Sequence, residues 1–192
     1  MGKNKHLCAC GSGKRSKLCC GEVSRGLSVA VKLEMRAAAE ALSAEGKHLE
    51  ACGILEKLTV VSPRNPLIWN DLGVQYEAAG EIEQAFAALR RGHRVDATFP
   101  PTLYNLGKFT LDRFMSLQEA GELSEADGRA MLAEAIGFLN ANLDRDPENV
   151  DGHHFIALAY GLLQNETLAR GHMTVAARLR NELAAPTGWR LE

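Results

Sequence analysis

PLIWNDLGVQYEAAGEIEQAFAALRRGHRVDATF, residues 66–99, is the stretch that decides the fold of this chain. Trp69, Leu72 and Tyr76 within it are spaced i, i+3 and i+7, so they share one face of a helix. Gly80 follows that run, and glycine readily adopts the left-handed conformation found just after a helix ends. The stretch therefore predicts two helices that are separated by a tight turn near Gly80.

Small residues mark where these two helices are expected to meet. Gly73 in the first helix and Ala85 at the start of the second have little or no side chain, so the helices can approach closely. Together with the aromatic and leucine residues they form W-x2-L-G-x2-Y followed by an alanine, which resembles the pattern of tetratricopeptide repeats (TPR). That resemblance implies an all-α fold, a TPR solenoid built from helical hairpins in tandem.

The same register recurs on both sides of residues 66–99. Small or apolar residues and a closing proline fill the expected upstream positions, which are Ala39, Ala51, Leu55 and Pro63, with Gly46 at the turn. The downstream matches are Leu103, Leu106, Gly107, Ile156, Ala157, Tyr160, Ala169, Met173 and Ala176. We therefore predict four repeats, at 32–65, 66–99, 100–149 and 150–183. A linker and helix extension at 23–31 precedes them, and a C-terminal tail at 184–192 follows them. Three or more repeats are the number that such a stack needs.

The third repeat is 16 residues longer than the 34-residue period. Apolar residues keep helical spacing through its first helix as far as Leu117, and Ser124 to Asp127 has the form of a capping box that opens the second helix. Both helices are therefore predicted to be about two turns longer than standard, so that the hairpin projects. The projection is interpreted either as a surface for a partner or for self-association, or as length variation tolerated at a loop tip.

Charge divides the chain into a short basic head and an acidic body. Its 192 residues suit one moderate domain with a small appendage, and a hydrophobic fraction of 46% fits a globular protein. The first twenty residues carry +5, whereas the 17 basic and 24 acidic residues that follow give −7. A basic head is typical of a tail that contacts nucleic acid or an acidic protein, although its cations could equally offset neighbouring thiolates. The basic residues are Lys3, Lys5, Lys14, Arg15 and Lys17.

No feature of the sequence indicates a membrane or an export route. There is no run of eighteen apolar residues, and the basic N-terminus lacks the apolar core of a secretory signal. We therefore expect no membrane insertion and a cytoplasmic location, where thiols stay reduced.

Four of the five cysteines lie within thirteen residues, at Cys8, Cys10, Cys19 and Cys20. In a reducing compartment this density favours a metal site over disulfides. Four thiolates make a closed tetrahedral zinc site of the structural type, with His6 as an alternative to one of them. A segment this short cannot fold alone, so metal binding and folding would be coupled.

The string CACGSGKRSKLCCG, residues 8–21, resembles the SEC-C motif, whose pattern is C-x-C-x8-C-[CH]. It keeps all four ligand positions and departs at Ala9, where the family usually has proline. That family occurs at the C-terminal tail of the SecA translocase and in many small bacterial proteins, and in SecA it contacts an export chaperone and the ribosome. The resemblance implies a metal-binding knuckle at 1–22 that docks ribosomal or protein-export components and holds Zn2+, with iron as the alternative.

TPR proteins bind extended peptides or helices on the concave face formed by the first helix of each repeat. The residues that match the groove-facing positions of the family are mixed in character, with an apolar middle, and each could instead be ordinary packing. They are Arg36, Asn70, Val74, Tyr104, Lys108, Leu111, His154 and Leu158.

The carboxylate clamp by which this family binds acidic chaperone C-termini is not matched. Its five positions fall on Arg36, Glu40, Asp71, Pro101 and Asn105, where four of the five clamp residues are lost and two are acids. An acidic tail would therefore be repelled, and an apolar or basic segment is the expected client.

The remaining reactive residues indicate neither catalysis nor a second metal site. The sequence has no Ser-His-Asp order and no glycine-rich nucleotide loop. His153, His154 and His172 are assigned to different helices without a Cys or acid to complete a ligand set, so they are interpreted as solvent-facing or packed. Cys52 is interpreted as an inert packed thiol.

These features together predict a non-enzymatic protein–protein interaction adaptor. The groove would hold a protein or peptide client while the basic, metal-stabilised head docks a second partner, namely the ribosome or the export machinery. A chaperone-like holder of client segments is the nearest variant. Alternatives from other classes are an accessory or metal-delivery subunit of an enzyme, and a nucleic-acid-binding protein that acts through its basic N-terminus.

Overall fold

A computed structural model describes residues 27–184, and this part of the chain consists of eight α-helices without a β-strand. The prediction of an all-α fold is confirmed for these residues. The two helices of each successive pair pack against each other, so that this part of the chain forms four helical hairpins. The helices are α1 (Val29–Ala44), α2 (His48–Val61), α3 (Pro66–Ala78), α4 (Ile82–Val95), α5 (Pro100–Glu119), α6 (Glu125–Leu143), α7 (Val150–Leu162) and α8 (Glu166–Ala184).

The chain divides into two compact units between Ala97 and Thr98. The first unit contains the hairpins α1–α2 and α3–α4, and the second contains α5–α6 and α7–α8. Each unit has its own apolar core, which in the first includes the fully buried Leu58 and in the second the fully buried Leu139. Burial of such side chains is the dominant favourable contribution to folding.

The first helix of every hairpin ends in the same way. The turn residue has a left-handed backbone, with φ of 75°, 82° and 71° at Gly46, Gly80 and Gly121 and of 59° at Gln164. Its N–H and that of the next residue both donate to carbonyls in the last helical turn, which is the Schellman motif. The predicted role of Gly80 is confirmed, and the fourth hairpin achieves the same turn with a glutamine.

Close approach of two helices depends on glycines at equivalent positions of the second and third hairpins. A β-carbon at Gly73 would lie 2.6 Å from Leu89 Cγ and 3.2 Å from the carbonyl oxygen of Ala85. A β-carbon at Gly107 would lie 2.5 Å from Leu139 Cγ. The distances to the two leucines are too short for real contacts, so the prediction that small residues let the helices meet here is confirmed.

The third hairpin is lengthened in both of its helices. Helix α5 has 20 residues and α6 has 19, against 13 in α3 and 14 in α4. Helix α6 begins after Ser124, whose hydroxyl oxygen accepts from Asp127 N at 3.1 Å and donates to Asp127 Oδ2 at 2.6 Å. The predicted lengthening and the N-terminal cap are both confirmed.

A buried amide connects three elements of the second unit. Asn142, near the end of α6, is 1% exposed. Its Nδ2 donates to the carbonyl oxygen of Pro100 at 3.0 Å, and its Oδ1 accepts from Asn149 Nδ2 at 2.9 Å. Asn149 in turn accepts from Gly152 N at 2.9 Å, which caps α7. The starts of α5 and α7 are therefore fixed to the end of α6.

The predicted metal knuckle and basic head lie outside residues 27–184, as does nearly all of the predicted C-terminal tail. These predictions concern Cys8, Cys10, Cys19, Cys20, Lys3, Lys5, Lys14, Arg15, Lys17 and 185–192. Within the described residues, none of the helices combines the length and the apolar character needed to cross a membrane.

Candidate functional site

The first helices of the first unit form a surface that contains a small cleft. We call it the α1–α3 surface, and its cleft has a volume of about 200 Å³. Its floor and walls combine apolar, amide and charged side chains, which are Arg36, Ala39, Glu40, Ser43, Leu55, Asp71, Val74 and Gln75. Two of the predicted groove residues, Arg36 and Val74, therefore lie at one cleft.

Arg36 is held by two carboxylates. Its Nε lies 2.7 Å from Asp71 Oδ2 on α3, and its Nη2 lies 3.0 Å from Glu40 Oε1 one turn along α1. The pKa of Arg36 is raised, chiefly by the hydrogen bond to Asp71. The one cation of this cluster is thus outnumbered by two anions, and a ligand carboxylate would meet net negative charge. This arrangement gives a physical reason for the predicted repulsion of acidic tails.

An amide network borders the cleft. His48 Nδ1 donates to Gln75 Oε1 at 3.0 Å and so joins α2 to α3. Val74 is half-buried beside it. Asn70, in contrast, is only 6% exposed, which leaves almost no surface for a partner. The prediction that Asn70 lines the groove is therefore wrong.

The first helices of the second unit form a second surface, which we call the α5–α7 surface and define by Tyr104, Lys108, His154, Phe155 and Leu158. The rings of Tyr104 and Phe155 meet edge to face with centroids 5.9 Å apart. Burial raises the pKa of the Tyr104 phenol, and the nearby charge of Asp151 adds to the effect. Tyr104 therefore stays protonated at neutral pH and can donate a hydrogen bond to a partner.

Charge and apolar area alternate along the α5–α7 surface. Lys108 Nζ lies 2.9 Å from Asp112 Oδ2 and 4.8 Å from the centroid of the Phe109 ring. His154 is exposed and Leu158 is half-buried. Phe155, which is not among the predicted groove residues, joins Tyr104 and His154, with ring centroids 5.9 Å apart in each pair.

Leu111 does not line a groove. It is 0% exposed and packs in the core of the second unit with Phe114, Leu139 and Ile156. Leu111 lies one turn after Gly107 on α5, on the side of that helix that faces α6. The prediction for Leu111 is wrong because this position belongs to the core-facing side of a lengthened helix.

Two of the three grouped histidines form a pair. His153 Nδ1 on α7 lies 3.0 Å from His172 Nδ1 on α8, and His153 Nε2 lies 3.1 Å from the carbonyl oxygen of Pro147. Because a carbonyl only accepts, Nε2 of His153 carries the proton, so its Nδ1 accepts from His172. Burial and the neighbouring His153 lower the pKa of His172. Residues 27–184 hold no group of three side chains suited to binding a metal.

A larger cleft lies near the tip of the third hairpin. It has a volume of about 310 Å³ between the distal end of α5–α6 and the turn that follows α7. Phe114, Leu132 and Leu163 supply apolar lining, while Glu125 and Arg129 stand at its edge. The sequence suggested an interaction role for this hairpin but gave no sign of a cleft, since its walls come from separate hairpins.

The fifth cysteine is inert. Cys52 is 2% exposed within the core of the first unit, and burial raises the pKa of its thiol to about 11. The thiolate form, which is the nucleophile and the metal ligand, is therefore scarce at neutral pH. The interpretation of Cys52 as a packed thiol is confirmed.

Solved structures of other proteins share this fold. A crystal structure of MamA aligns with a TM-score of 0.63 and 17% identity, covering 86% of each chain. "MamA MSR-1 C2" aligns with a TM-score of 0.56 and 20% identity, covering 86% of this chain and 85% of that one. A putative kinesin light chain of Podosopora anserina with nearly identical TPR-like repeats aligns at 0.52 and 15% identity, covering 85% and 83%.

At these identities the likeness concerns the fold alone, and it confirms the TPR-like architecture predicted from residues 66–99. No protein-family model matches the chain, and no curated protein matches it significantly.

Proposed function

We propose that this chain is a protein–protein interaction adaptor whose first-helix surfaces bind an extended segment of a protein partner. The observation that carries the proposal is the cleft of the α1–α3 surface, where apolar and ionic side chains of two first helices converge. A TPR-like fold with an open first-helix surface supports this role, since such surfaces are the usual binding sites of repeat proteins.

The charges of the cleft define the segment that it would accept. Asp71 and Glu40 exceed the single charge of Arg36, so a cationic side chain gains from the local field and a carboxylate does not. Val74 and the aliphatic atoms of the floor favour an apolar neighbour in the same segment. The client is therefore a segment in which basic and apolar side chains alternate.

Selection from a displayed peptide library on the intact protein tests this function. Wild-type protein is expected to enrich basic and apolar sequences, and Val74→Lys to weaken their binding about tenfold by placing a cation and extra volume in the cleft. Val60→Lys is the matched control, because Val60 lies on α2 with 37% of its surface exposed. Equal binding by both variants would show that the α1–α3 surface is not the site.

The cysteine head is proposed as a second, metal-stabilised module. Four thiolates within thirteen residues match the donor set of a structural zinc site, and Cys52 is too deeply buried to join them. Elemental analysis by mass spectrometry is expected to find one zinc per chain, which Cys19→Ser/Cys20→Ser removes and Cys52→Ser leaves in place. A finding of iron instead of zinc would change the identity of the proposed metal. Metal that exchanges rapidly would favour the metal-delivery alternative.

The head is further proposed to dock on a partner of its own, with the ribosome or the export machinery as the first candidates by resemblance to the SEC-C motif. Cosedimentation with ribosomes, compared between wild type and Cys19→Ser/Cys20→Ser, tests this step. Binding that survives loss of the metal but falls steeply with salt would assign the contact to the basic residues and to nucleic acid instead.

A further inference from the structure

A cluster of arginines surrounds a cleft in the first unit that shares no lining residue with the cleft of the α1–α3 surface. The cleft has a volume of about 450 Å³ and lies between the loop after α2 and the last turns of α4. Arg64 comes from the loop, and Arg91 and Arg94 come from α4. Pro63 and Val95 complete the lining with apolar surface.

The guanidinium groups at this cleft lack anionic partners in the described part of the chain. Arg36, by comparison, is paired with carboxylates at 2.7 and 3.0 Å, whereas neither Arg64 nor Arg94 forms an ion pair with a carboxylate of residues 27–184. Three of the eight Lys and Arg residues in 27–97 line this cleft, although ten acids lie in the same range. Positive charge is thus concentrated here within an acidic unit.

The cleft is held in shape by a tryptophan. Trp69 Nε1 donates to the carbonyl oxygen of Pro63 at 3.0 Å and so fixes the loop that carries Arg64. The Arg91 guanidinium lies 5.8 Å from the centroid of the Trp69 ring. One side chain therefore positions both walls, and little ordering remains to be done when a ligand binds.

Local helix energetics does not explain the cluster. A cation near a helix C-terminus interacts favourably with the helix dipole, which accounts for Arg94 alone. Arg91 and Arg94 are spaced i, i+3, and like charges at this spacing on a helix repel. Arg64 lies outside any helix. The crowding is unfavourable by itself and is relieved when an anion binds between the guanidinium groups.

We propose that this arginine cleft binds an acidic segment of a protein partner, separately from the basic or apolar client of the α1–α3 surface. Guanidinium groups bind carboxylates in paired hydrogen bonds, and the apolar lining at Pro63 and Val95 accommodates an aliphatic side chain between the acids. Nucleic acid fits less well, because a duplex with one charge per roughly 1.7 Å calls for an extended cationic track rather than one cleft in an acidic unit.

Fluorescence anisotropy with the full chain tests the proposal. The probe is a labelled synthetic peptide that repeats Glu-Glu-Leu. Arg64→Glu and Arg94→Glu are each expected to weaken its binding about tenfold or more, since each removes a charge-assisted contact and adds repulsion. Arg180→Glu is the matched control, an exposed arginine on α8 in the other unit, and is expected to bind as wild type does. Circular dichroism confirms that each variant is folded.

Rescue and competition make the result decisive. A peptide that repeats Lys-Lys-Leu should bind the Arg64→Glu/Arg94→Glu protein better than it binds wild type, whereas a folding defect would weaken both peptides. Unchanged Glu-Glu-Leu binding in the cleft variants overturns the proposal and assigns the anion to the N-terminal lysines. Loss of single-stranded oligonucleotide binding without loss of peptide binding overturns it in favour of nucleic acid.

The chain could instead self-associate in a concentration-dependent way. If Arg94→Glu alone abolishes this association and the peptide does not inhibit it, the cleft is assigned to a second copy of this chain and the proposal is overturned. The Val74→Lys variant should bind the acidic peptide normally, so failure of the α1–α3 surface and failure of the arginine cleft are separate results.

Discussion

Gly107 and Leu139 face each other so closely that a β-carbon at residue 107 would lie 2.5 Å from Leu139 Cγ. The lengthened hairpin α5–α6 therefore closes around a glycine that no other residue can replace unless the Leu139 side chain or its helix shifts. Gly107→Ala is expected to lower the free energy of unfolding by about 1–3 kcal/mol, because the added methyl overpacks a well-filled core. Urea denaturation followed by circular dichroism measures it.

Gly137→Ala provides the opposite result on the same hairpin. Gly137 lies within α6, and a β-carbon there would have no atom within 4 Å. The substitution is expected to raise the free energy of unfolding by about 0.5–1 kcal/mol, since alanine loses less conformational entropy in a helix. If Gly107→Ala were as well tolerated as Gly137→Ala, the close approach of α5 and α6 would be disproved.

Glycine at residue 164 is expected to stabilise the turn after α7. Gln164 has φ of 59°, whereas the three equivalent turns have glycine. Gln164→Gly should raise the free energy of unfolding by about 1 kcal/mol, because a side chain in the left-handed region is strained. Gly80→Ala should lower it by a similar amount for the same reason, since the space around Gly80 is open and only its φ of 82° opposes a side chain. Thermal melts of both variants give the comparison.

Asn142 is expected to contribute more to the free energy of unfolding than any surface amide of its helix does. Asn142→Leu leaves the carbonyl of Pro100 and the amide of Asn149 without partners, which should cost about 1–3 kcal/mol. Asn140→Leu, on an exposed position of α6, should change stability by no more than about 0.5 kcal/mol. If the two substitutions changed the free energy of unfolding equally in urea denaturation, the stabilising role of the Asn142 hydrogen bonds would be contradicted.

The free energy of unfolding is expected to decrease in mild acid because of His172, which pairs with His153. The pKa of His172 is lowered in the folded state, so the folded chain binds fewer protons than the unfolded chain just below the ordinary histidine pKa of 6.5. The stability that this neutral histidine contributes is present above pH 6.5 and is lost as the pH falls below it.

Melting temperatures measured from pH 7.5 to pH 5.5 check this. The decrease should be smaller in His172→Gln than in wild type, while His154→Gln, which alters an exposed ring, should follow wild type. An identical decrease in His172→Gln would show that other groups cause it.

The sequence predicts the features that are set by local spacing. The i, i+3 and i+7 pattern of Trp69, Leu72 and Tyr76 is enough to define a helix, and Gly80 is enough to end it. The extra length of the third hairpin also follows from the sequence, because apolar spacing continues through α5 and Ser124 opens α6.

Features that depend on contacts between distant residues were not predicted. Arg64 and Arg94 are thirty positions apart and meet only because the loop after α2 lies beside the end of α4. His153 and His172 are on successive helices, so their contact is set by how α7 and α8 pack. Leu111 matches a groove-facing position of the family, but it lies on the side of α5 that packs in the core of the second unit, and that packing depends on residues distant in the sequence.

The length of the third hairpin has a practical consequence. Helix α5 has 20 residues and α7 has 13, and seven residues of helix span about 10 Å. The turn at Gly121 is exposed, and so are Ala120 and Glu122 on either side of it, which do not share the left-handed backbone of the glycine. A fluorophore or an affinity tag attached at Ala120 or Glu122 would report on the chain while leaving the α1–α3 surface and the arginine cleft chemically unaltered.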